Sequence, residues 1–147
     1  TAVKSKMTVN SLSSASGGWN LTLKAKNGSA LGTATLGVDP ASAERIDSPY
    51  GVEDYVDVAF GDGKGAHFVR DIRRTVAAKD SWAFTVSSDN ACEIELSWMG
   101  TGTMPSQSRL SLVDDATNKS VTMPATGSYV FHLDEGQLQR SFHIVVD

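Results

Sequence analysis

Apolar and polar residues trade places at every second position along much of the chain, the period that turns one face of an extended strand toward a core and the other toward water. Trp19, Leu21, Leu23 and Ala25 alternate with Asn20, Thr22 and Lys24. Ala34, Leu36 and Val38 share one face of the next segment, and Val56, Val58 and Phe60 alternate with Tyr55, Asp57 and Ala59. Residues 68–72 follow more weakly, because Arg70 and Asp71 break the rhythm. The second half is clearer: Trp82, Phe84 and Val86 form one apolar face, then Cys92, Ile94, Leu96 and Trp98 form another opposite Glu93, Glu95 and Ser97. Leu110 and Leu112, Val121 and Met123, Tyr129, Phe131 and Leu133, and Phe142, Ile144 and Val146 complete a series of about ten strands.

The connections carry the residues that sharp turns require: Gly61-Asp62-Gly63, Asp89-Asn90, Asp114-Asp115, Asn118-Lys119 and the stretch from Pro124 to Gly127. No apolar stripe of period 3.6 persists for three turns, so at most one short helical turn is expected, over residues 40–45. Many short strands at this spacing predict an all-β fold, an antiparallel β-sandwich. The last two strands are predicted to pair as a hairpin around Asp134-Glu135-Gly136-Gln137. Phe131 then faces Phe142, Tyr129 faces Ile144, and His132 and His143 emerge on the opposite side.

A chain of 147 residues suits a single module over residues 1–147. The polar stretch at 77–81 offers a subdivision into 1–78 and 79–147, but each half alone buries little surface, so a shared core or broad interface is expected. Apolar residues make up 40% and charged residues 20%, an ordinary globular balance. No segment approaches the roughly 20 apolar residues that cross a bilayer, so no membrane insertion is expected. A net charge of −4 argues against a nucleic-acid partner, since phosphate neutralisation needs clustered cations. The one basic cluster, Arg70, Arg73 and Arg74, is interrupted by Asp71 and reads as a solvated surface. Cys92 is the only cysteine, which excludes an internal disulfide and a cysteine-based metal site. The opening residues lack the apolar run of a signal peptide, and the chain ends on strand-like Ile144-Val145-Val146, so it reads as a module cut from a longer or processed protein.

Residues 82–147 resemble an immunoglobulin or fibronectin type III module. The resemblance rests on Leu96-Ser97-Trp98, on Gly127-Ser128-Tyr129 entering the penultimate strand, and on the closing Phe142-His143-Ile144-Val145-Val146. It implies an immunoglobulin-like or jelly-roll-like sandwich, with Tyr129 forming a tyrosine corner whose hydroxyl bonds backbone a few residues upstream. Residues 18–74 are similar to a segment found ahead of such modules in bacterial secreted multidomain proteins, through the strand Trp19 to Leu23, Leu36-Gly37-Val38 with Ala41, Ala43 and Asp47, and Asp71-Ile72-Arg73. Where such segments often carry paired prolines, this chain has Pro49-Tyr50-Gly51-Val52-Glu53-Asp54. Together the resemblances imply a secreted or cell-surface structural role.

Candidate chemistry is sparse. Nucleophilic catalysis needs a hydroxyl or thiol beside an oriented base, and none of His67, His132 and His143 lies in such a motif. Cys92, in phase with Ile94 and Leu96, reads as a buried inert thiol. Asp47, Glu53, Asp54 and Asp57 crowd one acidic stretch and are the candidate ligands for a structural calcium, the only cofactor considered, but ordinary turn formation and solubility are the favoured reading. Gly61-Asp62-Gly63-Lys64-Gly65 lacks the ending of a phosphate loop and reads as a hairpin turn. Trp19, Trp82 and Trp98 are of the type that stacks on sugars, but each is in phase with its strand's apolar face and is assigned to the core. Tyr50 and Tyr55 are the better candidates for a surface contact. Asn20, Asn27 and Asn118 begin three Asn-x-Ser/Thr sequons.

The expectation is a non-catalytic interaction module of an extracellular or cell-surface protein that docks, anchors or spaces other domains of its own polypeptide or another surface protein. The alternative is a carbohydrate-binding module with a polysaccharide partner. A hydrolase ranks third.

Overall fold

The structure is a computed structural model and describes residues 18–28, 30–47, 56–61, 64–102 and 110–147. Among them there is no helix; all regular structure is strand. The elements are β1 (Trp19–Asn27), β2 (Ala30–Val38), β3 (Glu44–Asp47), β4 (Val56–Gly61), β5 (His67–Arg73), β6 (Ser81–Ser88), β7 (Cys92–Gly102), β8 (Leu110–Asp114), β9 (Lys119–Met123), β10 (Thr126–Leu133) and β11 (Gln139–Val146). Ten coincide with the alternating segments, and the in-phase apolar positions do point inward: Leu21, Leu23, Leu36, Trp82, Ile94, Leu96 and Ile144 are essentially inaccessible to solvent.

The eleventh strand, β3, lies where a helical turn was expected. Asp39 accepts from the Ala41 amide at 2.9 Å and closes a tight turn at Pro40 and Ala41. The chain then extends along β5 with Glu44 opposite Ile72 and Arg45 opposite Asp71. All four β3 residues are exposed, so no apolar period marks the strand in the sequence. Ladder hydrogen bonds and ion pairs to β5 hold it instead.

The predicted two-sheet sandwich is not what forms. The strands make one mixed, mostly antiparallel sheet in the order β10-β7-β1-β2-β5-β4-β6-β11-β8-β9, nearly closed into a barrel, with β3 off this path on β5. The splice is β5. Its Arg70 to Arg73 run parallel to Thr35 to Val38 of β2, while Phe68 pairs with Phe60 of β4. What would be two sheets is therefore joined through a continuous ladder. The terminal strands of the order, β9 and β10, are consecutive in the chain and separated only by Pro124 and Ala125, which brings the two ends of the sheet to one corner. Ladders also cross the boundary between residues 78 and 79, since β1 pairs with β7 and β4 with β6.

The predicted terminal hairpin is likewise absent. Asp134 and Gln137 form a single bridge around Gly136, whose φ of +90° suits glycine, and then the strands part. β10 pairs with β7, placing Phe131 opposite Ile94, while β11 pairs with β6 and β8, placing Phe142 opposite Phe84 and Asp114. Phe131 and Phe142 still meet, but across the interior, edge to face with ring centroids 5.0 Å apart.

The core is closely fitted around its tryptophans. Trp82 donates its indole N–H to the Asp71 carbonyl at 3.2 Å and packs edge-on against Trp19. Trp98 donates to the Pro124 carbonyl at 2.9 Å, and its ring lies over Gly127, where a Cβ would sit only 2.5 Å from Trp98 Cζ2.

Candidate functional site

The densest polar constellation is built on Asp114, the last residue of β8. Leu110, Leu112 and Asp114 alternate inward, so the strand period that buries two leucines also buries a carboxylate, which is 1% exposed. Arg140, in phase with inward-facing Phe142 on β11, meets it side-on: Nε donates to Oδ1 at 3.0 Å and Nη2 to Oδ2 at 2.5 Å. The Tyr129 hydroxyl donates to Oδ2 at 2.7 Å, and the Ala116 amide donates to Oδ1 at 3.1 Å. Four donors fill the acceptor capacity of one carboxylate.

Burial opposes ionisation of Asp114, yet the hydrogen bonds from Arg140 and Tyr129, the Arg140 charge and the Ala116 amide outweigh it and hold the carboxyl below its ordinary range. Burial and the bond to Asp114 push the Tyr129 phenol up, and the same bond pushes Arg140 further up. The Arg140 guanidinium also stacks 5.4 Å over the Phe131 ring. The hydroxyl of Tyr129 thus bonds a side chain, not the upstream backbone that a tyrosine corner would use.

Above this cluster lies an open cleft of about 270 Å³ between the 115–118 and 134–137 turns, with Arg140 in its wall and Asp115, His132, Asp134, Gln137 and Gln139 around it. The two nearby histidines each face a carboxylate: His143 Nδ1 lies 2.6 Å from Asp115 Oδ1, and His132 Nε2 lies 3.6 Å from Glu93 Oε2. Neither is bonded to a hydroxyl or thiol among the described residues. His67 is far along the chain on β5, so the three histidines sit on three different strands.

A second buried carboxylate, Asp71, is paired with Arg45 at 3.3 Å and Arg73 at 3.5 Å. Arg73 stacks 4.5 Å over Trp82 and Arg45 stacks 4.9 Å over Phe68. Arg70 pairs with Glu44. Two members of the Arg70, Arg73 and Arg74 cluster are therefore spent on acidic partners, and only Arg74 stays fully at the surface as a simple solvated charge. A polar groove of about 250 Å³ runs beside Arg70 and Glu44 toward Asn20 and Thr101, which are bonded to each other at 2.6 Å.

Of the residues singled out from sequence, Tyr50, Glu53, Asp54 and Tyr55 lie outside the described residues. Asp47 ends β3 exposed. Asp57 lies half-buried on β4, where burial pushes its carboxyl up while the neighbouring His67 pulls it the other way. Among the described residues no three His, Cys, Asp or Glu side chains converge as a metal site. Trp19, Trp82 and Trp98 are all buried. Cys92 is half-buried rather than fully enclosed, with its thiol 3.6 Å from the Ser88 hydroxyl.

Sequence reasoning read Asp114 and Asp115 only as turn residues and did not find the Asp114, Tyr129 and Arg140 cluster. The signal was present: Asp114 and Arg140 each occupy an inward phase of their strands, with opposite charges. Compared with known proteins, the chain matches no family model, no curated protein and no solved structure.

Proposed function

We propose that this chain is a non-catalytic interaction module that docks, anchors or spaces parts of an extracellular or cell-surface protein. One observation carries the reading: the chemistry-bearing side chains at the richest polar cluster are consumed in holding strands together. Asp114 accepts from β10, β11 and the following turn at once, and Arg140 spends Nε and Nη2 on it while Nη1 donates to the His132 carbonyl at 3.4 Å. A general base or nucleophile needs free valence toward a substrate, and this carboxylate has none. Extracellular placement is part of the proposal and rests on the motif resemblance read from residues 18–74 alone.

A carbohydrate-binding role is the second reading. With Trp19, Trp82 and Trp98 buried, it rests instead on the cleft, whose Asp115, Asp134, Gln137 and Gln139 offer the carboxylates and amides that recognise vicinal hydroxyls.

The test joins turnover with binding. The purified chain is assayed on ester, glycoside and peptide substrates and by affinity electrophoresis through soluble polysaccharides. Neither turnover nor retardation is expected. Turnover lost on His143→Ala would overturn the non-catalytic reading, and retardation lost on Gln137→Ala would replace it with the carbohydrate one.

A further inference from the structure

The outer face of β10, β7, β1 and β2 carries an uncommon row. Register places Val130 beside Glu95, Glu95 beside Lys26, and Lys26 beside Leu31, so one line across four strands reads apolar, acidic, basic, apolar. All four side chains are exposed, Val130 by 52% and Leu31 by 55%. Of the four large apolar residues exposed among the described ones, three lie on this face: Val130, Leu31 and Met99. Lys26 and Glu95 are cross-strand neighbours, yet among the described residues no ion pair within 4.0 Å engages either of them.

The order of the row matters because it is self-complementary. A two-fold axis parallel to the strands and lying just above the face reverses the order of strands while preserving height along them. Val130 of one copy then meets Leu31 of the other, and Glu95 meets Lys26, each contact occurring twice. The rows beyond it are compatible: Ser128 meets Thr33, Ser97 meets Lys24, Thr126 meets Thr35 and Met99 meets Thr22.

We propose that this face is a homodimer interface, in which two copies of the chain pack sheet against sheet through Val130, Glu95, Lys26 and Leu31. Two sheets stack in this way at about 10 Å with their strands roughly aligned. Four strands at their usual spacing offer on the order of 500 Å² per copy, at the small end of specific interfaces, so the dimer is weak and reversible. Opposed charges supply its register and apolar ends supply its cohesion. Self-association of this kind requires neither an extracellular nor a non-catalytic role, so its failure would leave the reading above untouched.

Sedimentation across a concentration series, with circular dichroism to confirm folding, tests it. Wild type is expected to show a concentration-dependent dimer. Lys26→Glu alone or Glu95→Lys alone sets like charges opposite each other and weakens it at least about tenfold. An equimolar mixture of the two variants restores it, because every opposed pair in the mixed dimer is again of opposite sign. Val130→Ser and Leu31→Ser, which leave the charges alone, each weaken the wild-type dimer as well. A monomer at every concentration overturns the proposal. So does a dimer indifferent to the single reversals, which would point to pairing through a strand edge, or a mixture that fails to recover association.

Discussion

Arg140 grips Asp114 through both carboxylate oxygens from a strand that begins 25 residues later, and Tyr129 reaches the same group from a third strand. The three lie on β11, β8 and β10, so one buried charge fastens one end of the sheet order to strands near the other. Breaking it by Asp114→Asn leaves the guanidinium, one-fifth exposed in the cleft wall, without its counter-charge, a change that should cost about 1.5–3 kcal/mol. Urea denaturation should show the midpoint falling accordingly. Replacing Asp114 and Arg140 together with apolar residues should cost much less than either single change.

The pH dependence of that clasp has a definite sign. Because the Asp114 carboxyl is held below its ordinary value in the folded chain, its stabilisation is complete above the unfolded value of about 4 and is lost as pH falls through the folded one. The stability gap between wild type and Asp114→Asn should therefore narrow on acidification below about pH 4, as measured by denaturation at stepped pH.

Asp57 should behave in the opposite way. Burial raises its carboxyl in the folded state, so ionisation there opposes folding, fully so above the folded value and not at all below the unfolded one. Asp57→Asn is expected to raise the melting temperature slightly at pH 7, and the gain should disappear in acid.

Gly127 is required for the space it leaves. A methyl group there would strike the Trp98 ring, so Gly127→Ala should cost about 1–3 kcal/mol and alter the near-ultraviolet circular dichroism of that indole. Gly136→Ala meets no neighbour and should lose only about 1 kcal/mol, from its positive φ, with the aromatic signal unchanged.

The strand order is open to direct measurement. Backbone nuclear Overhauser effects should join Phe131 to Ile94 and Phe142 to Phe84, and none should join β10 to β11 beyond the Asp134 and Gln137 bridge. Contacts pairing Tyr129 with Ile144 along a ladder would restore the hairpin.

By itself the sequence determined that the fold is all-β, where ten strands lie and which face of each turns inward. Those are local properties: side chains alternate every second residue whatever strand lies alongside, so Leu21, Phe84 and Ile144 declare their burial without reference to a partner. The neighbours were decided only in three dimensions. An inward phenylalanine looks the same in a hairpin, a sandwich or a nearly closed barrel, which is why Phe131 and Phe142 could be expected beside each other in a ladder and in fact meet across the core. β3 was invisible for the complementary reason, since an entirely exposed strand carries no apolar period, and its place comes from hydrogen bonds and ion pairs to β5. The clasp at Asp114 depends on both levels: phase sent the acid and Arg140 inward, and only the closing of the sheet brought them within reach of one another and of Tyr129.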